Sequence, residues 1–129
     1  MCNVDSVPYI HPTILVVDDS DDTRDALIRF FRSEGYGVEA ARNGREGLNA
    51  LRTGNPCIIL LDVQMPDMSG YDFRQAQLAD DDCKDIPVVV FSASGDIHQA
   101  AERMAAVAIA QKPIELKRLL ALITQHCLK

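Results

Sequence analysis

The chain has 129 residues, of which 47% are hydrophobic and 25% charged, with a formal net charge of -6. One ordinary core fits that length and a second domain does not, and no run approaches the roughly 20 consecutive apolar residues that span a bilayer. The acidic balance argues against direct nucleic-acid binding, and Met1 to Pro12 lacks the blocks of a signal peptide, so a cytoplasmic protein without membrane insertion is expected.

Residues 1-12 contain Pro8 and Pro12, show no periodicity and read as an N-terminal extension ahead of a single domain at 13-129. Ile14 to Val17 is an apolar strand that runs into Asp18 and Asp19. Leu27, Phe30 and Phe31 then recur at helical spacing, which predicts a helix over about 21-34 closed by Gly35. Val38 to Ala41 is a short second strand, and Asn43-Gly44 leads into a helix with Leu48 and Leu51 facing inward. Gly54, Asn55 and Pro56 stop that helix.

Cys57 to Leu61 forms the third strand and delivers Asp62 to its edge, ahead of the turn-forming Met65-Pro66-Asp67-Met68-Ser69-Gly70. A helix from about Ser69 to Ala79 follows, then the exposed acidic loop around Asp80, Asp81 and Asp82, then a strand over 86-91 ending at Ser92. An Ala-rich helix near 96-105 precedes the fifth strand, Val107 to Ala110, which leads to Lys112-Pro113. Leu116, Leu119, Leu120, Ile123 and Cys127 make one face of a last helix. Apolar strands alternating with amphipathic helices imply an α/β fold with a parallel sheet covered on both faces. Cys2, Cys57, Cys83 and Cys127 have no C-x-x-C spacing, so free thiols in a reducing compartment are expected. His11, His98 and His126 are too scattered for a metal site.

In an open parallel sheet, functional groups gather beyond the carboxyl ends of the strands, where strand order reverses. Asp18, Asp19, Asp62, Ser92 and Lys112 all stand at such ends. Two carboxylates about 4 Å apart repel by roughly 4 kcal/mol at an effective dielectric near 20, so a cluster of three calls for a cation. Hard oxygen donors suit Mg2+. Asp21, Asp22 and Asp25 read instead as solvated groups favoured by the dipole of the first helix.

The segments ILVVDDS, IILLDVQMPDMSG, VVVFSAS and QKP, in that order, resemble the receiver domain of two-component response regulators across residues 13-128. The resemblance implies a flavodoxin-like, doubly wound, five-stranded parallel sheet of order 2-1-3-4-5. It further implies that Asp62 accepts a phosphoryl group from a histidine kinase or histidine phosphotransfer protein in a Mg2+-dependent reaction. Asp18, Asp19, Asp62 and the Gln64 carbonyl would hold the ion, while Ser92 and Lys112 would contact the phosphoryl group. The 112-113 bond would resemble the family's cis peptide. With the sequence ending at Lys129, the signal is expected to pass to a separate, unidentified partner, unless the chain is a fragment.

The pattern breaks at Ile109, where receivers usually carry an aromatic switch residue, and in Met104 to Ala108, which lacks the usual Gly-Ala turn. The face between the fourth helix and fifth strand is therefore expected to be remodelled. Two other readings stand beside the receiver. One is a phosphate-independent interaction module that keeps the fold. The other is a haloacid-dehalogenase-type phosphatase that uses Asp19, from Asp19-x-Asp21-x-Thr23.

Overall fold

The computed structural model describes residues 12–63, 65, 68–92, 97–111 and 115–127, without the side chains at 92, 97, 98, 100 and 111. Strands and helices alternate strictly: β1 (Thr13–Val17), α1 (Asp21–Ser33), β2 (Gly37–Ala41), α2 (Gly44–Thr53), β3 (Ile58–Asp62), α3 (Gly70–Leu78), β4 (Val88–Ser92), α4 (Ile97–Arg103), β5 (Ala108–Gln111) and α5 (Leu116–His126). The strands make one parallel sheet in the order β2-β1-β3-β4-β5, the order that the receiver resemblance implies. Because the chain steps outward from β1 in both directions, the carboxyl ends of β1 and β3 lie side by side. The register Val17↔Leu61 makes Asp18 and Asp62 the next residues on neighbouring strands.

Strand side chains alternate between faces, so each central strand feeds two cores. Leu15, Val17, Ile59, Leu61, Val88 and Val90 pack with Leu51, Phe73 and Met104 under α2, α3 and α4. Ile14, Val16, Ile58, Leu60, Val89 and Phe91 pack with Leu27, Phe31, Leu119 and Ile123 under α1 and α5. Ile109 joins the first group as a partly buried residue.

Three helices start on a side-chain cap that satisfies an otherwise orphaned amide: Ser20 accepts from Thr23, Asn43 from Glu46 and Ser69 from Asp72. Two helices end on the same hydrogen-bond pattern. At α1 the Gly35 amide donates to the Arg32 carbonyl and the Tyr36 amide to that of Phe31, with Gly35 at φ 90°. At α4 the Ala105 amide donates to Glu102 and the Ala106 amide to Ala101, but the left-handed position is held by Ala105 at φ 50°.

Two expectations change. The strands at β3, β4 and β5 begin and end slightly later than predicted, so Asp62 and Ser92 close strands rather than follow them. The thiols are not all free: Cys57 and Cys127 form a disulfide with Cα atoms 5.5 Å apart. Sequence spacing could not show this, because the partners are 70 residues apart and meet only when the end of α5 packs beside the start of β3. Cys83 is a buried free thiol, as expected, and burial followed by the neighbouring Asp80 carboxylate pushes its pKa up. Cys2, His11 and the proposed extension lie outside the described residues, apart from Pro12.

Candidate functional site

The site grows from the β1–α1 turn. Asp18 is fully buried; its amide donates to the Ala41 carbonyl at 3.0 Å, which fastens the end of β1 to β2. One Asp18 carboxylate oxygen accepts from the Ser20 amide at 2.8 Å, and Ser20 in turn caps α1. Arg24, one turn into that helix, reaches back so that Nη1 donates to the Asp18 carbonyl at 2.7 Å, while Nη2 pairs with Asp21. The turn is thus closed by four side-chain interactions, from Asp18, Ser20 and the two ends of the Arg24 fork.

Asp62 enters from the end of β3 with only 4% of its surface exposed, and Asp19 faces solvent. One carboxylate oxygen from each of Asp18, Asp19 and Asp62 lies within 4.8 Å of the other two. At that spacing each ionised pair repels by about 3 kcal/mol at an effective dielectric near 20. Two buried carboxylates and one at the solvent side give an all-oxygen donor set, which fits a hard divalent cation such as Mg2+ and not a soft metal.

Beyond Asp62 the chain turns into α3 with almost no clearance. The Val63 amide donates to the Phe91 carbonyl at 3.4 Å, and the Gly70 amide to the Val63 carbonyl at 2.9 Å. A Cβ at Gly70 would stand 2.9 Å from the Val63 Cα and 3.0 Å from the Asp62 carbonyl oxygen. Glycine is required there by close backbone approach.

Of the predicted site residues, Asp18, Asp19 and Asp62 are brought together. Ser92 closes β4, one residue beyond Phe91, which pairs with Asp62; its side chain is outside the described set. Gln64, Lys112 and Pro113 lie outside the described residues, although Gln111, which precedes Lys112, pairs with Ser92. The first-turn acids Asp21 and Asp22 sit at the start of α1, where the dipole argument places them. Arg24 was missed by sequence reasoning. Its signal was a basic residue one turn into the helix that follows two acidic residues at a strand end.

A protein-family model described as the response regulator receiver domain matches residues 14–124. Among relatives, the response regulator MprA of Mycolicibacterium vanbaalenii is 36% identical over 111 residues, covering 84% of this chain and 47% of the relative. The chain therefore spans about half the length of that relative, 47%. An uncharacterised 14.6 kDa protein of Leptolyngbya boryana is 34% identical over 117 residues, 89% of both chains. Among solved structures, the chemotaxis protein CheY4 of Vibrio cholerae superposes with a TM-score of 0.83 at 28% identity, covering 91% of this chain and 99% of that one. The response regulator TrrA of Thermotoga maritima, in complex with Mg2+-BeF, gives 0.79 at 27% identity, covering 88% and 97%.

Fold, acidic pocket and these likenesses agree on the class: a CheY-like receiver module of the kind found in response regulators. The chain belongs to the response regulator receiver family. Among the described residues, no helix is long and apolar enough to cross a membrane.

Proposed function

We propose that this receiver, residues 13-129 behind an extension at 1-12, accepts a phosphoryl group on Asp62. The donor would be a histidine kinase or histidine phosphotransfer protein, and the signal would pass to a downstream protein partner. The observation that carries the reading is the meeting of Asp18, Asp19 and Asp62 at the switch point of the sheet.

Mg2+, when bound, would offset the charge on the carboxylates and on the incoming phosphoryl group. Asp18 and Asp19 would hold it with Asp62 and the Gln64 carbonyl. Asp18 is suited to a fixed role, since it is buried and already fastened by Ala41, Ser20 and Arg24. A carboxylate oxygen of Asp62 would form the new O–P bond as the P–N bond of a phosphohistidine breaks, the leaving imidazole taking up a proton. Ser92 would donate a hydrogen bond to the transferred group, and Lys112 would pair with it. Membership of the receiver family leaves the phosphatase reading without support, while the phosphate-independent module becomes an outcome of the test.

Incubation with Mg2+ and a small phosphodonor should give acid-stable, base-labile phosphate that disappears in Asp62→Asn. Near-saturating Mg2+, about 100 times its Kd, should stabilise the fold by about 2.7 kcal/mol. Asp19→Asn should weaken that response more than Asp22→Asn. Neither labelling nor a response to Mg2+ would leave the phosphate-independent module in its place.

A further inference from the structure

α3 is seated directly on the acceptor strand, through the Gly70–Val63 bond and the lack of clearance beside Asp62. One turn further on it carries a buried cation: Arg74 is 7% exposed and Gln77 fully buried. Arg74 Nε donates to the Met104 carbonyl at 2.8 Å, Nη2 to the Ala105 carbonyl at 3.3 Å and Nη1 to Gln77 Oε1 at 2.7 Å. The Gln77 amide donates onward to the carbonyls of Cys83 at 2.8 Å and Ile86 at 3.0 Å. One chain of side-chain bonds thus joins α3 to the end of α4 and to the loop before β4. Beside it, the Arg103 guanidinium lies over the Tyr71 ring, 4.3 Å from its centroid, which joins the same two helices again.

Apolar packing alone would not require a guanidinium here. Burying one without a carboxylate partner is costly, and burial lowers the pKa of Arg74. What the planar fork adds is geometry: donors fixed in one plane, set on two consecutive carbonyls, restrict both the distance and the rotation of the α4 end. No carboxylate pairs with Arg74 among the described residues.

We propose that Arg74 is a positioning residue that makes α3 and the end of α4 one rigid unit, so that occupation of the Asp62 pocket is felt at residues 104–107. This rests on the receiver reading of that pocket. Relief of the repulsion among Asp18, Asp19 and Asp62 draws the strand ends together; Val63 moves with Asp62, and Gly70 has no slack against it. The far end of the unit reaches the surface at Val107, which is 48% exposed. Hydrogen-bonded buried polar networks behave as stiff elements, and the Arg74–Gln77 chain gives such a path between pocket and surface.

The test is amide exchange at Ala105, Ala106 and Val107, whose hydrogen bonds run to Glu102, Ala101 and Val88. It is measured with and without Mg2+ plus beryllofluoride on the full chain. In the wild type the ligand should change these rates by about fivefold or more, the lower end of usual coupling. Arg74→Met should still bind the ligand but bring the ratio close to one. Arg74→Lys, which keeps the charge and loses the fork, should fall between. A purely structural role would speed exchange equally with and without ligand and leave the ratio unchanged. That result in Arg74→Met or, should it not fold, in Arg74→Lys overturns the proposal. Ligand binding by the wild type without a response at these amides overturns it as well, while absence of binding removes the receiver reading first.

Discussion

On its α1–α5 face the sheet is closed by apolar packing and one covalent bond, whereas on the α2–α3–α4 face a buried polar chain interrupts the core. Phe31 and Tyr36 meet edge to face with ring centroids 6.3 Å apart, the Tyr36 hydroxyl donates to the Cys127 carbonyl at 3.4 Å, and Cys127 is bonded to Cys57. Opposite, Arg74 and Gln77 reach the end of α4 and the α3–β4 loop with four hydrogen bonds, and a fifth joins the two side chains. Strand β3 lies between these layers: a staple stands just before its first residue, and Asp62, the proposed phosphoryl acceptor, is its last. An anchored strand start leaves displacement to be absorbed at the other end, beside the face whose apolar core is crossed by directional contacts. The staple thus serves stability on one face, and the proposed role of Arg74 puts response on the other.

The largest effect that separates them is loss of the staple. Chain-entropy arguments make a link across 70 residues worth roughly 4 kcal/mol. Urea unfolding in dithiothreitol, or of Cys57→Ala with Cys127→Ala, should show that loss while the Mg2+-induced gain in stability persists. Equal stability of the oxidised and reduced forms would mean that apolar packing alone holds the α5 end.

Gly70→Ala should come next, and on the other face. The new methyl meets backbone at 2.9 and 3.0 Å, atoms that cannot swing aside as a side chain would. A cost of about 2 kcal/mol is expected from such overpacking. Because one of the crowded atoms is the Asp62 carbonyl oxygen, the stabilising response to Mg2+ should shrink too. A neutral substitution with an intact Mg2+ response would show that α3 is not seated tightly on β3.

The acid pocket was legible in the sequence because its members stand at the ends of apolar runs, and the topology of a parallel sheet brings such ends together whatever lies between them. The two faces were much less legible. Cys57 and Cys127 looked like a strand residue and a helix-face residue, and nothing in their spacing shows that those elements adjoin. Arg74 and Gln77 are polar residues within the helix expected at about Ser69 to Ala79, and nothing in the sequence marks them as buried. Their burial depends on where α4 ends, which is set by contacts some 30 residues away, the separation of Arg74 from Met104. The lack of a glycine between Met104 and Ala108 was visible, but the form of the turn there, an alanine in the left-handed region, was not.

That alanine gives the smallest effect and the most discriminating one. A left-handed backbone costs a residue with a Cβ roughly 1–2 kcal/mol, and glycine gives back about half to one of these in the entropy of the unfolded chain. Ala105→Gly should therefore stabilise the protein by only about 0.5 kcal/mol. Backbone strain persists where the surroundings over-determine the conformation, and here they include the Schellman hydrogen bonds and the Arg74 fork on the Ala105 carbonyl. If the fork shares in holding the turn, Arg74→Met lets it relax, and the gain from Ala105→Gly should then vanish in the Arg74→Met background. Neighbouring residues that share a constraint are non-additive in this way, and four urea curves measure the departure. Simple additivity would show that the backbone hydrogen bonds alone sustain the strained turn and that the α4 end is no more dependent on Arg74 than the α1 end is on any side chain.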